Sequence, residues 1–116
     1  MNAKIKARWI KALRSGEYMQ GQNYLHQTDS GQKEHRYCCL GVLCELAVKS
    51  HIIPPSDILY KGKGIYFYGE VSGSLPSEVE SWAEISSFDA DILVEMNDEG
   101  ASFKKIARYI ERSKTI

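Results

Sequence analysis

Apolar residues recur along this chain with two different periods, and the change of period marks out its elements. Over residues 2–14, Ile5, Trp9, Ala12 and Leu13 fall at i, i+4, i+7 and i+8, which predicts a helix capped by Asn2 and ended by Gly16. In Cys38 to Lys49, Leu40, Leu43, Cys44, Ala47 and Val48 form one helical stripe, and Cys39, Val42 and Leu46 form a second beside it. A helix apolar on two sides is a buried one. Gly41 within it costs about 1 kcal/mol relative to alanine, so its presence implies close approach of another backbone or of a ligand. Between these helices, Glu17 to Glu34 is polar and glycine-containing and reads as a loop with one short strand around Tyr24-Leu25.

After Pro54-Pro55 the period changes. Ile58-Leu59-Tyr60 and Ile65-Tyr66-Phe67-Tyr68 flank Lys61-Gly62-Lys63-Gly64, the pattern of a small hairpin. Helical spacing then returns. Pro76 is expected at the first helical position of a segment whose core face is Leu75, Val79 and Trp82. Ser86 or Ser87 caps the next helix, with Phe88, Ile92, Leu93 and Met96 facing inward until Asp98-Glu99-Gly100 breaks it. Ser102 caps the last, with Phe103, Ile106, Ala107 and Ile110 on its inner face. The expected fold is α+β in a single domain over 1–116, with about five helices packed around a buried central helix and a small antiparallel sheet.

Composition narrows the class. With 116 residues and 43% hydrophobic content, the chain can fold on one core. No stretch reaches the ~18 consecutive apolar residues of a membrane span, so a soluble, intracellular protein without a membrane partner is expected. Three cysteines, two of them adjacent, make a poor disulfide framework and fit reduced thiols in a cytosol. Net charge is zero, which disfavours general nucleic-acid binding, but its distribution is uneven. Both terminal helices are basic, whereas Glu70 to Glu99 contains nine acids and neither Lys nor Arg. Terminal helices lying together would make a positive face. Alternatively they pair with the acidic stretch, within one chain or across a homo-oligomer.

Several arrangements could carry chemistry. His35, Cys38, Cys39 and Cys44 are close in sequence, but they lack the paired Cys-x-x-Cys spacing of zinc sites, and no metal or cofactor is expected. Cys38 or Cys39 at a helix entrance, with His35 nearby, is the arrangement a cysteine-dependent hydrolase would need. His26 and His51 have no cysteine or carboxylate at a telling spacing. The last two helices and their glycine-containing turn have the form of a helix-turn-helix, with Lys104, Lys105, Arg108 and Arg112 placed for phosphates and Tyr109 among them. Acids on the first helix of that pair oppose DNA. The Lys61 to Gly64 turn beside Tyr60, Tyr66 and Tyr68 could hold a phosphate while a ring stacks on a base.

Three blocks carry a family likeness: Arg8 to Gly21, the Tyr37-Cys-Cys-Leu-Gly-Val-Leu-Cys-Glu-Leu46 run, and Met96 to Glu111, with Leu75 to Ala83 between the last two. Together these resemble a family of small, mostly uncharacterised bacteriophage and prophage proteins; Gln22 to His35 and Ile52 to Gly73 depart from it. The resemblance implies an accessory protein in the cytoplasm of a bacterial host that counteracts host defence by binding rather than catalysis. Its partner would be a nucleotide-type immune signal to be sequestered or, alternatively, a host defence protein to be inhibited. Candidate ligand residues are Arg14, Gln20 and Arg36 in or beside the matched blocks, Lys63 and Tyr66 at the hairpin, and Asn97 and Asp98 at a helix end. Helix termination would also account for Asn97-Asp98, and a solvated charge for Arg14.

Overall fold

In the computed structural model, which describes residues 1–28, 34–58 and 64–116, the first helix, α1 (Ala3–Arg14), begins as its cap predicts. The Asn2 side-chain oxygen accepts from the Lys4 and Ile5 amides at 3.0 and 3.1 Å. Gly16, at φ +76°, turns the chain away. Ile5, Trp9, Ala12 and Leu13 are buried, the face that the spacing predicts. Trp9 donates its indole N–H to the Cys39 carbonyl at 2.9 Å, tying α1 to the start of α2 (Cys39–Lys49).

Eight of the eleven α2 residues are buried, including Cys39 and Cys44. Gly41 explains how another segment can cross its first turn: a β-carbon there would overlap the Leu25 carbonyl. The close approach inferred from the sequence is made by backbone. Cys38 caps α2 without a side-chain hydrogen bond, and the Cys39 amide is instead satisfied by the Asn97 side-chain oxygen at 3.1 Å.

The sheet is wider than expected and mixed rather than purely antiparallel. Its strands are β1 (Met19–Gln20), β2 (His26–Thr28), β3 (His35–Tyr37), β4 (Asp57–Ile58) and β5 (Ile65–Phe67), in the order β1-β3-β2-β5-β4. β1 runs parallel to β3; the other neighbours are antiparallel, with His26 opposite Tyr37 on one side and Tyr66 on the other. The strand expected at Tyr24-Leu25 lies at His26–Thr28 instead. Strands of two or three residues such as His-Gln-Thr carry no alternation to read, and cross-strand pairing defines them. The expected hairpin corresponds to β4 and β5, paired Asp57 to Phe67 and Ile58 to Tyr66. Its turn at Lys61 to Lys63 lies outside the described residues.

The remaining helices are α3 (Ser77–Ala83), α4 (Ser87–Asp98) and α5 (Phe103–Arg112). Pro76 is the cap of α3 rather than its first residue. Ser86 caps α4 by accepting from the Asp89 amide at 3.0 Å, but the buried face of α4 is rotated from the expected one. Asp89, Ala90, Leu93 and Asn97 are buried, Ile92 and Met96 are half-buried, and Phe88 is 74% exposed. Asp89 is paired inside with the Ser86 and Thr115 hydroxyls at 3.0 Å each. Hydrogen bonding thus admits two polar side chains that apolar spacing excludes. The inner face of α5 is as predicted, and it packs chiefly on α1. The basic terminal helices therefore lie together. The ion pairs of the described residues, Arg14 with Glu111, Arg36 with Glu34 and Lys49 with Glu17, leave the acidic 70–99 stretch out.

Candidate functional site

The thiols offer no nucleophile. Cys38, Cys39 and Cys44 are buried, and Cys39 donates its S–H to the Leu93 carbonyl at 3.4 Å. Burial pushes the Cys38 thiol up to about 11 and raises the other two as well, the reverse of what activates a cysteine.

Four of the residues singled out in the sequence come together. Gln20 donates its side-chain amide to Asn97 Oδ1 at 2.9 Å and to the Ala101 carbonyl at 2.8 Å. Asp98 accepts from the Asn23 amide at 2.9 Å, and Arg36 faces the same cleft as Gln20. Asn97 is engaged within the protein. It is fully buried, its oxygen accepting from Cys39 and Gln20 and its amide donating to the Gly21 carbonyl at 2.8 Å. That side chain joins α4, α2 and the β1 loop, so it has a packing role. Arg14 and Tyr66 lie elsewhere: Arg14 makes a two-pronged pair with Glu111 at 3.0 and 3.1 Å, and Tyr66 stacks on His26. Lys63 lies outside the described residues.

Cations gather instead on the outer face of α5. Lys105, Arg108 and Arg112 repeat at i, i+3 and i+7, so helical geometry puts them on one side. With Met96, Tyr109 and Ser113 they line a cleft of about 430 Å³. A second cleft of about 400 Å³ shares Lys105 and Arg108 and adds Lys104, Ser102, Gly100 and Ala101. A third, of about 420 Å³, meets the second at Gly100 and holds Gln20, Gln22, Asn23, Gln27 and Arg36. Among the described residues, neither Asp nor Glu lines any of the three. Glu111, the acid of α5, is held by Arg14, which keeps its carboxyl below the usual range. Such a surface can form charge-assisted hydrogen bonds to phosphate oxygens, with the exposed Tyr109 ring available for stacking.

The profile of a family described as domain of unknown function (DUF8296) matches residues 1–114. The chain belongs to that family. No curated protein and no solved structure matches it.

Sequence reasoning missed a second cluster in this DUF8296 chain. His26 lies between the rings of Tyr37 and Tyr66, at centroid distances of 4.4 and 4.0 Å. Its Nδ1 meets the Ser56 hydroxyl at 2.7 Å, and its Nε2 meets His35 Nδ1 at 2.6 Å. Burial, and secondarily the charge of His35, lowers His26 to about 4, so the ring is neutral near pH 7. Tyr68 below donates to Glu45 at 2.7 Å, and burial raises its hydroxyl far above the ordinary value. The alternation of Tyr66 and Tyr68 was a usable signal that one sheet face is aromatic. Nothing in the sequence spacing tied His26 to it.

Proposed function

We propose that this protein is a non-catalytic binder of a phosphate-bearing, nucleotide-type ligand, and that α5 with its flanking clefts is the binding surface. One observation carries the reading: Lys105, Arg108 and Arg112 line adjoining clefts in which, among the described residues, no carboxylate takes part, with Tyr109 exposed among them. Cation and aromatic together suit phosphate and base. The family likeness in the sequence adds the setting, a phage or prophage accessory protein that withholds a nucleotide immune signal in the host cytoplasm. In this reading α2 is the central scaffold, and recognition is left to charged and aromatic groups outside it.

The helix-turn-helix alternative is less well supported. Asp91, Glu95 and Asp98 are exposed on α4, where a phosphate backbone would have to pass. The buried thiols give no support to a cysteine hydrolase.

The test is a thermal-shift screen against mononucleotides and short linear and cyclic oligonucleotides. A ligand of this site raises Tm, and its effect weakens in Lys105→Gln, Arg108→Gln and Arg112→Gln. It is recovered chemically unchanged after denaturation. Binding that ignores all three substitutions would exclude this face, and an altered ligand mass would exclude a purely sequestering role.

A further inference from the structure

We infer that the outer face of α4, with the adjoining side of α5, is the contact surface of a symmetric dimer, its occupant a second copy of this chain. Phe88, Ile92 and Met96 fall at i, i+4 and i+8, the spacing of a stripe made for burial. The chain's own core does not cover that stripe. Phe88 is 74% exposed, and Ile92 and Met96 are half-buried. Beside Met96 the apolar surface continues onto α5 at Tyr109, which is 39% exposed. A stripe along about two helical turns is more than the scattered single apolar residues of an ordinary surface.

Charge identifies the occupant. At about 100° per residue, Asp91 and Glu95 lie on the edge of α4 that points away from Met96, and both are exposed. On the opposite edge of the stripe stand the α5 cations Lys105, Arg108 and Arg112, which border a cleft with Met96. Among the described residues, no ion pair engages any of these five groups. The face is therefore banded in the order acid, apolar, base. A two-fold axis between two such faces lies in their contact plane. With the axis along α4, the acidic edge of each copy meets the cationic edge of the other, and the two Phe88 rings meet at the axis. With the axis across α4, acid faces acid, which opposes contact. The bands thus select parallel α4 helices and two identical sets of charge pairs. A second copy carries the complementary order by construction. Because Arg108 and Arg112 serve both surfaces, a phosphate ligand on α5 competes with that copy.

The experiment is sedimentation velocity of the ligand-free full chain from micromolar to hundreds of micromolar, read against the 13.1 kDa mass of one chain. Wild type should pass reversibly from monomer to dimer within that range, as small, charge-edged interfaces do. Phe88→Ser changes a solvent-facing ring, so it should leave Tm unchanged while weakening association by about tenfold or more. Reversing the acidic edge, Asp91→Lys with Glu95→Lys, should leave monomer, and so should reversing the basic edge, Arg108→Glu with Arg112→Glu. Mixing the two reversed proteins should restore a dimer holding one copy of each, since both sets of pairs are then opposite in sign. A chain that stays monomeric at every concentration, as it would if a foreign protein were the partner of this face, would overturn the proposal. So would a dimer indifferent to Phe88 and to both reversals, or reversed proteins of unchanged Tm that do not pair on mixing.

Discussion

Replacing His26 should remove a specific part of the protein's acid sensitivity. In the folded chain the ring is 6% exposed, stacked between two tyrosines, and its proton affinity is lowered to about 4. In the unfolded chain it reverts to about 6.5. Between these values the unfolded state binds the extra proton, so stability rises with pH and falls on acidification. The contribution is fully present above about pH 6.5, drops by about 2 kcal/mol by pH 5, and approaches a loss of roughly 3 kcal/mol below pH 4. Urea unfolding of wild type and His26→Gln at pH 7.5, 6.5, 5.5 and 5.0 measures it. The variant should be less stable at every pH, having lost the ring contacts to Tyr37 and Tyr66. Its stability should nevertheless fall less steeply, with the gap to wild type narrowing by about 2 kcal/mol from pH 7.5 to 5. Carboxylates shared by both proteins cancel in that difference. Parallel pH profiles would refute the reasoning, because a buried neutral histidine cannot be removed without changing the proton count.

Gly41→Ala gains about 1 kcal/mol of helix propensity, but the new β-carbon collides with the Leu25 carbonyl; a net loss of roughly 2 kcal/mol is expected in chemical denaturation. Asn97→Ala strands the Cys39 amide and the Gly21 carbonyl, two buried backbone groups, and should cost about 3 kcal/mol in the same assay. Arg14→Ala should leave Tm nearly unchanged, since the pair with Glu111 is exposed. It should weaken phosphate-ligand affinity severalfold, because the released carboxylate then faces Arg108 and Arg112. All three thiols should resist alkylation in the native protein and react together on unfolding, which mass spectrometry resolves.

The helices were legible because each buries an apolar stripe at helical spacing. The four inner residues of α5 and of α1 are those that periodicity selects. α4 was misread on one face because Asp89 and Asn97 are buried through hydrogen bonds, which apolar spacing cannot anticipate, while Phe88 is left to solvent. The sheet was the least legible part. His-Gln-Thr and His-Arg-Tyr become strands only by pairing with one another and with β5, partners that local pattern does not reveal. The cationic surface was half legible: its residues were recognised as phosphate-seeking on a helix, but not that one of their clefts shares Gly100 with the cleft that holds Gln20 and Arg36.

The side chain of Asn97 links the floor of the third cleft to the first turn of α2, because the Gln20 amide and the Cys39 N–H share its oxygen. Solvent exchange at the Cys39 amide is therefore an internal gauge of the cleft. Anything that pulls Gln20 outward alters the grip on a proton deep in the molecule, so deuterium uptake at one buried position can register events at the surface.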